Sequence, residues 1–135
     1  MDYSEKLKSP KWQKKRLEVL NRDSFTCCKC GDTETELHVH HLKYTKEPYD
    51  ADLKDLETLC KHCHYYFTFI HKEFINSYNI DSNQKFIIHR IANSKIIEFV
   101  NLVFVLIILD NELVFHSCFY KNSEVLKKLT SIINS

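Results

Sequence analysis

The sequence predicts an α+β fold organised around two pairs of cysteines, with an N-terminal helix and a C-terminal α/β extension. The pairs are CxxC motifs, Cys27/Cys30 and Cys60/Cys63, and helix-like and strand-like patterns alternate on both sides of them. The chain has 135 residues, enough for one compact domain with an extension. A single glycine and 44% hydrophobic residues indicate a packed protein. A polar cluster at 76–84 marks the boundary between a domain at 1–80 and the extension at 81–135.

The N-terminal helix is predicted from a capping signal. Ser9-Pro10 combines an N-cap residue with a proline that the first helical turn accepts, and residues 11–21 contain no helix breaker. The basic side chains of this helix are Lys11, Lys14, Lys15 and Arg16. A solvated helix face is the plain interpretation of this cluster. Because the net charge is only +1, a nucleic-acid surface would have to come from such local clustering.

The two CxxC pairs indicate a zinc site. Each CxxC turn places two sulfurs on one side of the backbone, so two turns complete the tetrahedral thiolate sphere that zinc prefers. Cys27 rather than Cys28 is the predicted ligand, because only Cys27 has the two-residue spacing to Cys30. The first residues lack the apolar core of a signal peptide, so we expect a cytoplasmic, intracellular location where such pairs bind metal. A redox CxxC and unrelated buried cysteines are the alternatives.

The segment between the pairs is long enough to carry a function. It has 29 residues, against roughly 15 to 20 in related cysteine-pair zinc sites. Residues 37–42 alternate in polarity and predict a strand that contains His40 and His41, and residues 43–54 are predicted to form a loop. His64 directly follows the last cysteine. It begins the segment 64–78, whose apolar spacing predicts a helix.

The extension is predicted to contain two strands and a helix. Residues 102–109 and 113–120 flank an Asp-Asn pair, a pattern typical of a hairpin, although a buried helix is the alternative for the first segment. Residues 125–133 have the spacing of an amphipathic helix. The most apolar stretch, 96–109, is shorter than the roughly 20 residues that span a bilayer, so we expect no membrane partner. The strands could instead form an interface in a homodimer.

Three segments, in this order, resemble the HNH endonucleases in their zinc-containing, ββα-metal form. The segments are Leu37-His38-Val39-His40-His41-Leu42-Lys43-Tyr44, then Glu47-Pro48-Tyr49, then Asp55-Leu56-Glu57-Thr58-Leu59-Cys60-Lys61-His62-Cys63-His64. Order, spacing and flanking residues agree together over roughly residues 9–72. The resemblance implies a ββα-metal (HNH) fold around the four-cysteine zinc site, and an enzyme that hydrolyses DNA phosphodiester bonds.

The resemblance also implies separate roles for three histidines. His41 would be the general base that deprotonates water, since an imidazole accepts protons near neutral pH. His40 and His64 would hold one divalent ion, Mg²⁺ or a similar metal, against the scissile phosphate. Asp55 stands where the family has an asparagine, and a carboxylate can still accept a hydrogen bond from an imidazole. Adjacent strand residues face opposite ways, so this assignment requires the strand to end or bulge at His41.

The chain departs from the family at Thr68, where many relatives carry a further histidine one turn after His64. His71 lies about 10 Å further along an ideal helix, so we expect water and phosphate to complete the metal sphere. Lys43 and Lys61, beside the motif, join the basic residues of the N-terminal helix as candidate phosphate contacts. The other histidines are expected to be solvated or structural; they are His38, His62, His71, His89 and His116.

Two other functions are left open by the sequence. The main alternative is a zinc-ribbon module that binds nucleic acid with weak or no catalysis, because Asp55 and Thr68 both depart from the pattern of active relatives. The other is a zinc ribbon used for protein contact, for which the sequence holds no positive signal. The retained histidines favour the enzyme over both.

Overall fold

A computed structural model describes residues 2–91 and 94–134, apart from the side chains of residues 115, 116, 129, 132 and 133. The chain forms two compact units, Met1–Thr68 and Phe69–Ser135. Both units contain helices and antiparallel strands, so the predicted α+β class is confirmed. The expectation for the side chain of His116 lies outside the described residues.

The first unit begins with two helices, α1 at Tyr3–Lys6 and α2 at Pro10–Arg22. Ser9 caps α2 as predicted, since its hydroxyl accepts a hydrogen bond from the Trp12 amide at 3.2 Å. The buried residues of α2 are Trp12, Val19 and Leu20. They pack into one core with Val39, Ala51 and Leu56. This core fixes α2 against the two strands that follow.

The strands β1, at Leu37–His41, and β2, at Leu56–Cys60, pair antiparallel. Their register places His41 opposite Leu56. The strand β1 ends at His41, the position at which the expected site requires the strand to end or bulge. The connection between the strands, predicted to be a loop, contains two single-turn 3₁₀ helices at Pro48–Asp50 and Leu53–Asp55.

A helix begins directly after β2, so that Cys60 ends the strand and Cys63 lies in the helix. This helix, α3, spans Lys61–Tyr65 and continues into a π-helical turn at Tyr66–Ile70. The next helix, α4, spans His71–Ser77. The sequence predicted one helix over 64–78, and the structure interrupts it with the wider turn, a feature that occurs often near functional sites.

Asp23, the residue after α2, joins this helix to β2. Its carboxylate accepts hydrogen bonds from the Arg22 side chain at 2.9 Å and from the Thr58 amide at 3.0 Å. The bond from Arg22 is the main reason that the pKa of Asp23 is lowered to about 2. A carboxyl group with a lowered pKa stabilises the fold above about pH 4 and loses that contribution as the pH falls toward about 2.

We expect Asp23→Asn to lower the free energy of unfolding at pH 7 by about 1.5 to 3 kcal/mol, because a charged hydrogen-bond acceptor is lost. The matched control is Asp52→Asn, since Asp52 is exposed and makes no capping hydrogen bond with its side chain. Urea unfolding followed by circular dichroism measures both variants. The loss at Asp23 should shrink as the pH is lowered below about 4, and a loss no larger than that of the control would contradict the assignment.

The second unit contains α4 and a four-stranded antiparallel sheet in the order β3-β4-β5-β6. The first two strands, β3 at Ile87–Ile91 and β4 at Ser94–Glu98, are not anticipated by the sequence analysis. The strands β5, at Leu102–Leu109, and β6, at Glu112–Tyr120, confirm the predicted hairpin. Its turn residues, Asp110 and Asn111, have φ angles of 50° and 63°, as a two-residue hairpin turn requires.

The core of the second unit is built from aromatic and branched side chains. The Phe74 ring of α4 stacks on Phe104 with centroids 4.2 Å apart, and Ile96 packs with Val103. The last helix, α5 at Ser123–Ile133, confirms the predicted C-terminal helix. Among the helices formed by the described residues, none combines the length and apolar composition needed to cross a membrane.

Candidate metal and histidine site

The four cysteines of the CxxC pairs come together in the first unit. The Sγ atoms of Cys27, Cys30, Cys60 and Cys63 all lie within 4.8 Å of one another, and those of Cys30 and Cys60 are 3.8 Å apart. An ion with four tetrahedral sulfur ligands at about 2.3 Å separates those sulfurs by about 3.8 Å. A disulfide bond would require about 2.05 Å. The arrangement therefore fits one metal ion held by four thiolates.

Backbone hydrogen bonds shape both cysteine turns. In the first, the Gly31 amide donates to the Cys27 carbonyl at 2.9 Å, and the single glycine adopts the positive φ, 77°, that suits this position. In the second, Cys60 caps α3, and its sulfur accepts a hydrogen bond from the Cys63 amide at 3.4 Å. Each turn therefore presents its two sulfurs from a fixed backbone.

The chemistry of the cysteines also fits a metal. The pKa of Cys27 is lowered because the sulfurs of Cys30, Cys60 and Cys63 offer hydrogen bonds to its thiolate. The thiolate is the form that binds metal ions. Cys28 lies outside the cluster, as predicted, and its side chain is exposed. The prediction of a four-cysteine cluster able to hold a metal is confirmed.

His41 is held by an aromatic pocket and one hydrogen bond. Its ring stacks between Trp12, at a centroid distance of 4.9 Å, and Tyr44, at 5.8 Å, and only 6% of the residue is exposed. Its Nε2 lies 3.1 Å from the carbonyl oxygen of Pro48. A carbonyl oxygen can only accept, so Nε2 carries the hydrogen and Nδ1 holds the lone pair of the neutral ring.

His40 and His64 lie close together, with ring centroids 5.3 Å apart at an interplanar angle of 76°. Burial, and then the neighbouring His41 and Lys29, lower the pKa of His40. Burial, followed by the neighbouring histidines, lowers the pKa of His64 to about 4. Both imidazoles are therefore neutral at pH 7, the form in which histidine binds metal.

A cleft of about 390 Å³ opens beside these residues. Its lining includes His38, His41 and His64, together with Arg16 of α2 and Tyr44 of the connection. The expected base and one of the two expected ion ligands therefore share a single cleft. Its size admits a phosphate group with surrounding water.

Asp55 is expected to orient His41 through its carboxylate, and the described hydrogen bonds show its backbone instead. The described hydrogen bond of the His41 ring goes to the carbonyl of Pro48. The contribution of Asp55 comes from its backbone, whose carbonyl accepts a hydrogen bond from the Leu42 amide at 2.8 Å. This bond extends the pairing of β1 and β2 by one residue and positions the chain as it leaves His41.

The candidate phosphate contacts are spread over several environments. Lys15 donates through Nζ to the carbonyl oxygens of Tyr49 and Ala51, at 2.7 and 2.6 Å. Lys11 lies over the Tyr49 ring at 5.2 Å, while Arg16 lines the cleft. The other candidates are Lys14 and Lys43, which are exposed, and Lys61, which is half-buried. Lys15 thus holds the connection in place, and Arg16 lines the cleft together with His38, His41 and His64.

Two features of this site are not predicted by the sequence. The ring of His38, expected to be structural, stacks on His64 with centroids 5.0 Å apart. The hydrogen bond from His41 to Pro48 joins residues seven positions apart through a backbone atom. The alternation His38-Val39-His40 could have indicated the first feature, because residues two apart on a strand share a face. The side-chain pattern holds no signal for the second.

The chain is similar in sequence to a curated protein. No family model matches the chain, and no solved structure matches it. Among curated proteins, the chain is 33% identical over 52 residues to the anaredoxin of Nostoc sp. (strain PCC 7120 / SAG 25.82 / UTEX 2576). The aligned residues span 38% of this chain and 68% of the relative. The chain therefore belongs to the same family as this Nostoc anaredoxin.

Proposed function

We propose that this protein is a metal-dependent HNH endonuclease that hydrolyses DNA phosphodiester bonds. The observation that carries the proposal is the fixed ring of His41, with its Nε2 hydrogen directed to the Pro48 carbonyl. His64, an expected ligand of the divalent ion, lines the same cleft. The order of two antiparallel strands followed by a helix that bears the last ligand is the order of a ββα-metal site.

In the proposed reaction, the first step is the transfer of a proton from water to His41. Nδ1 of His41 takes a proton from a water molecule, and the resulting hydroxide attacks the phosphorus. The bond from phosphorus to the 3′ oxygen breaks, and the Pro48 carbonyl, which accepts the Nε2 hydrogen at 3.1 Å, favours the imidazolium that forms. A divalent ion held by His40 and His64 would offset charge on the leaving oxygen. Arg16, in the same cleft, would contact the phosphate.

Zinc in the four-cysteine cluster has a structural role in this proposal. Such closed tetrahedral sites leave no position open for substrate. The zinc would join the turn after α2 to the start of α3, and so fix the helix that bears His64 relative to β1. The cluster therefore supports the histidines without taking part in the reaction.

The test is cleavage of supercoiled plasmid by zinc-loaded protein with added Mg²⁺, Mn²⁺, Co²⁺ or Ni²⁺, in the presence and absence of excess chelator. We expect relaxed plasmid to appear only with the added ion. DNA binding without relaxation under any of these ions would reject the enzyme in favour of a nucleic-acid-binding zinc module. Relaxation that persists in the chelator would reject the requirement for an exchangeable ion.

A second candidate function is electron transfer by iron in the same four cysteines. A tetrahedral set of four sulfurs suits iron as well as zinc, and the relative carries the name anaredoxin. Metal analysis of protein purified without added metal separates the two. About one zinc per chain and no visible absorption supports the structural role. About one iron per chain, with the strong colour of an iron-thiolate centre, favours electron transfer.

A further inference from the structure

Three histidines, rather than two, gather around the end of the β1-β2 sheet. His38 and His40 are two positions apart on β1 and therefore share one face of the strand. The His64 ring, from α3, contacts both of them, with centroids 5.0 Å from His38 and 5.3 Å from His40. The cluster thus combines an HxH pair from a strand with one imidazole from a helix.

The ring separations fit imidazoles that share an ion, whereas the ligand nitrogens of the three rings do not converge on one point in their present orientations. A ligand nitrogen at about 2.1 Å places the ring centroid about 3.2 Å from the metal, so two such rings lie about 4.6 to 5.3 Å apart at octahedral or tetrahedral angles. The His38 and His64 planes are within 24° of parallel. One of these two rings must therefore turn about its Cβ–Cγ bond to face a common ion.

Two nitrogens of the cluster are buried without a hydrogen-bond partner, Nε2 of His38 and Nδ1 of His40. An unsatisfied buried polar atom destabilises the folded state, so such atoms are rare in folded proteins unless a ligand or function accounts for them. Glu36 adds negative charge beside the cluster, with Oε1 3.5 Å from His38 Nε2. Each of these features favours a bound cation.

We infer that His38, His40 and His64 form one three-imidazole site, in which His38 is a ligand, for a divalent transition-metal ion. This inference rests on the proposed function, since it assigns a third ligand to the same exchangeable ion. Imidazole ligands suit zinc, cobalt and nickel, whereas Mg²⁺ prefers carboxylates and water. The site should therefore select Co²⁺, Ni²⁺ or Zn²⁺ over the Mg²⁺ that the family resemblance suggests. His38 supplies from β1 the further imidazole that Thr68 does not provide from the helix.

The test is calorimetric titration of zinc-loaded full-length protein with Co²⁺, followed in parallel by visible absorption. Wild type should bind about one additional ion, with ligand-field bands but no sulfur-to-cobalt charge transfer, which would mark exchange at the cysteines. His38→Ala should weaken Co²⁺ binding by at least about 10- to 100-fold, the loss typical of even an outer-sphere partner. Mg²⁺ should bind much more weakly than Co²⁺. His71→Ala, which removes a histidine of the second unit, is the control.

Different results would contradict the ligand role of His38 and the nuclease activity. Unchanged Co²⁺ affinity in His38→Ala, with affinity lost in His40→Ala, would overturn the role of His38 and leave the nuclease intact. One Co²⁺ bound with dependence on all three histidines, but no plasmid relaxation, would support the site and reject the enzyme. Zinc content measured in every variant shows whether the cysteine cluster is intact, so misfolding cannot be mistaken for loss of a ligand.

Discussion

His41→Ala should slow metal-dependent relaxation of plasmid by about 10²- to 10⁴-fold, the range associated with loss of a general base. The expectation follows from the His41 tautomer, in which the Pro48 carbonyl accepts the Nε2 hydrogen and leaves Nδ1 free to accept a proton. Co²⁺ or Mg²⁺ affinity should be nearly unchanged, because His41 is not among the proposed ligands. Initial rates of nicking at saturating metal measure the effect.

The control for this prediction is His41→Gln. A glutamine amide can still donate a hydrogen bond to the Pro48 carbonyl, so the buried acceptor keeps a partner, but it offers no basic nitrogen. This variant should remain folded by circular dichroism and be nearly as slow as His41→Ala. Nicking at the wild-type rate by a folded His41→Gln protein would remove His41 from the reaction.

Cys60→Ala should abolish metal binding by the cluster and unfold the first unit. Cys60 is fully buried and contributes a sulfur, caps α3, and lies 3.8 Å from the Cys30 sulfur. The apparent binding free energy of a structural zinc is about 10 to 16 kcal/mol, which equals or exceeds the whole stability of a typical domain. Metal analysis and far-ultraviolet circular dichroism, with and without chelator, measure the two effects.

The matched control is Cys28→Ala. Cys28 is the direct neighbour of a cluster cysteine, yet its side chain is exposed and its sulfur is not one of the four that converge. It should retain the full metal content and the wild-type spectrum. A Cys60→Ala protein that stays folded without metal, or equal metal loss from Cys28→Ala, would refute the structural role of the cluster.

The features that the sequence predicted well are those encoded by local rules. The Ser9 cap, the Asp-Asn turn at residues 110 and 111, and the CxxC spacing each depend on a few neighbouring residues. The alternation in 37–42 likewise predicted β1, in which Val39 and His41 are buried while His38 and His40, on the other face, are half-buried. Such patterns leave a local trace that a single sequence retains.

The features that were missed depend on contacts distant along the chain. The strands β3 and β4 sit in the sheet beside β5, and this pairing, rather than a clear alternation of their own, defines them. The stacking of His38 on His64 joins positions 26 residues apart, and the local alternation in β1 indicates only that His38 and His40 share a face. The role of the Pro48 carbonyl was hidden for another reason, because every residue has such an atom.

Trp12 is the single tryptophan of the chain, and its indole lies against the His41 ring. The tryptophan fluorescence of the unlabelled protein therefore originates at one place, within contact distance of the proposed base. An imidazolium ion quenches the fluorescence of an adjacent indole by accepting an electron from its excited state. Protonation of His41 should therefore lower the emission of Trp12. The protein thereby carries an intrinsic optical reporter, and the arrival of nucleic acid or metal in the cleft could be followed in real time by stopped-flow emission.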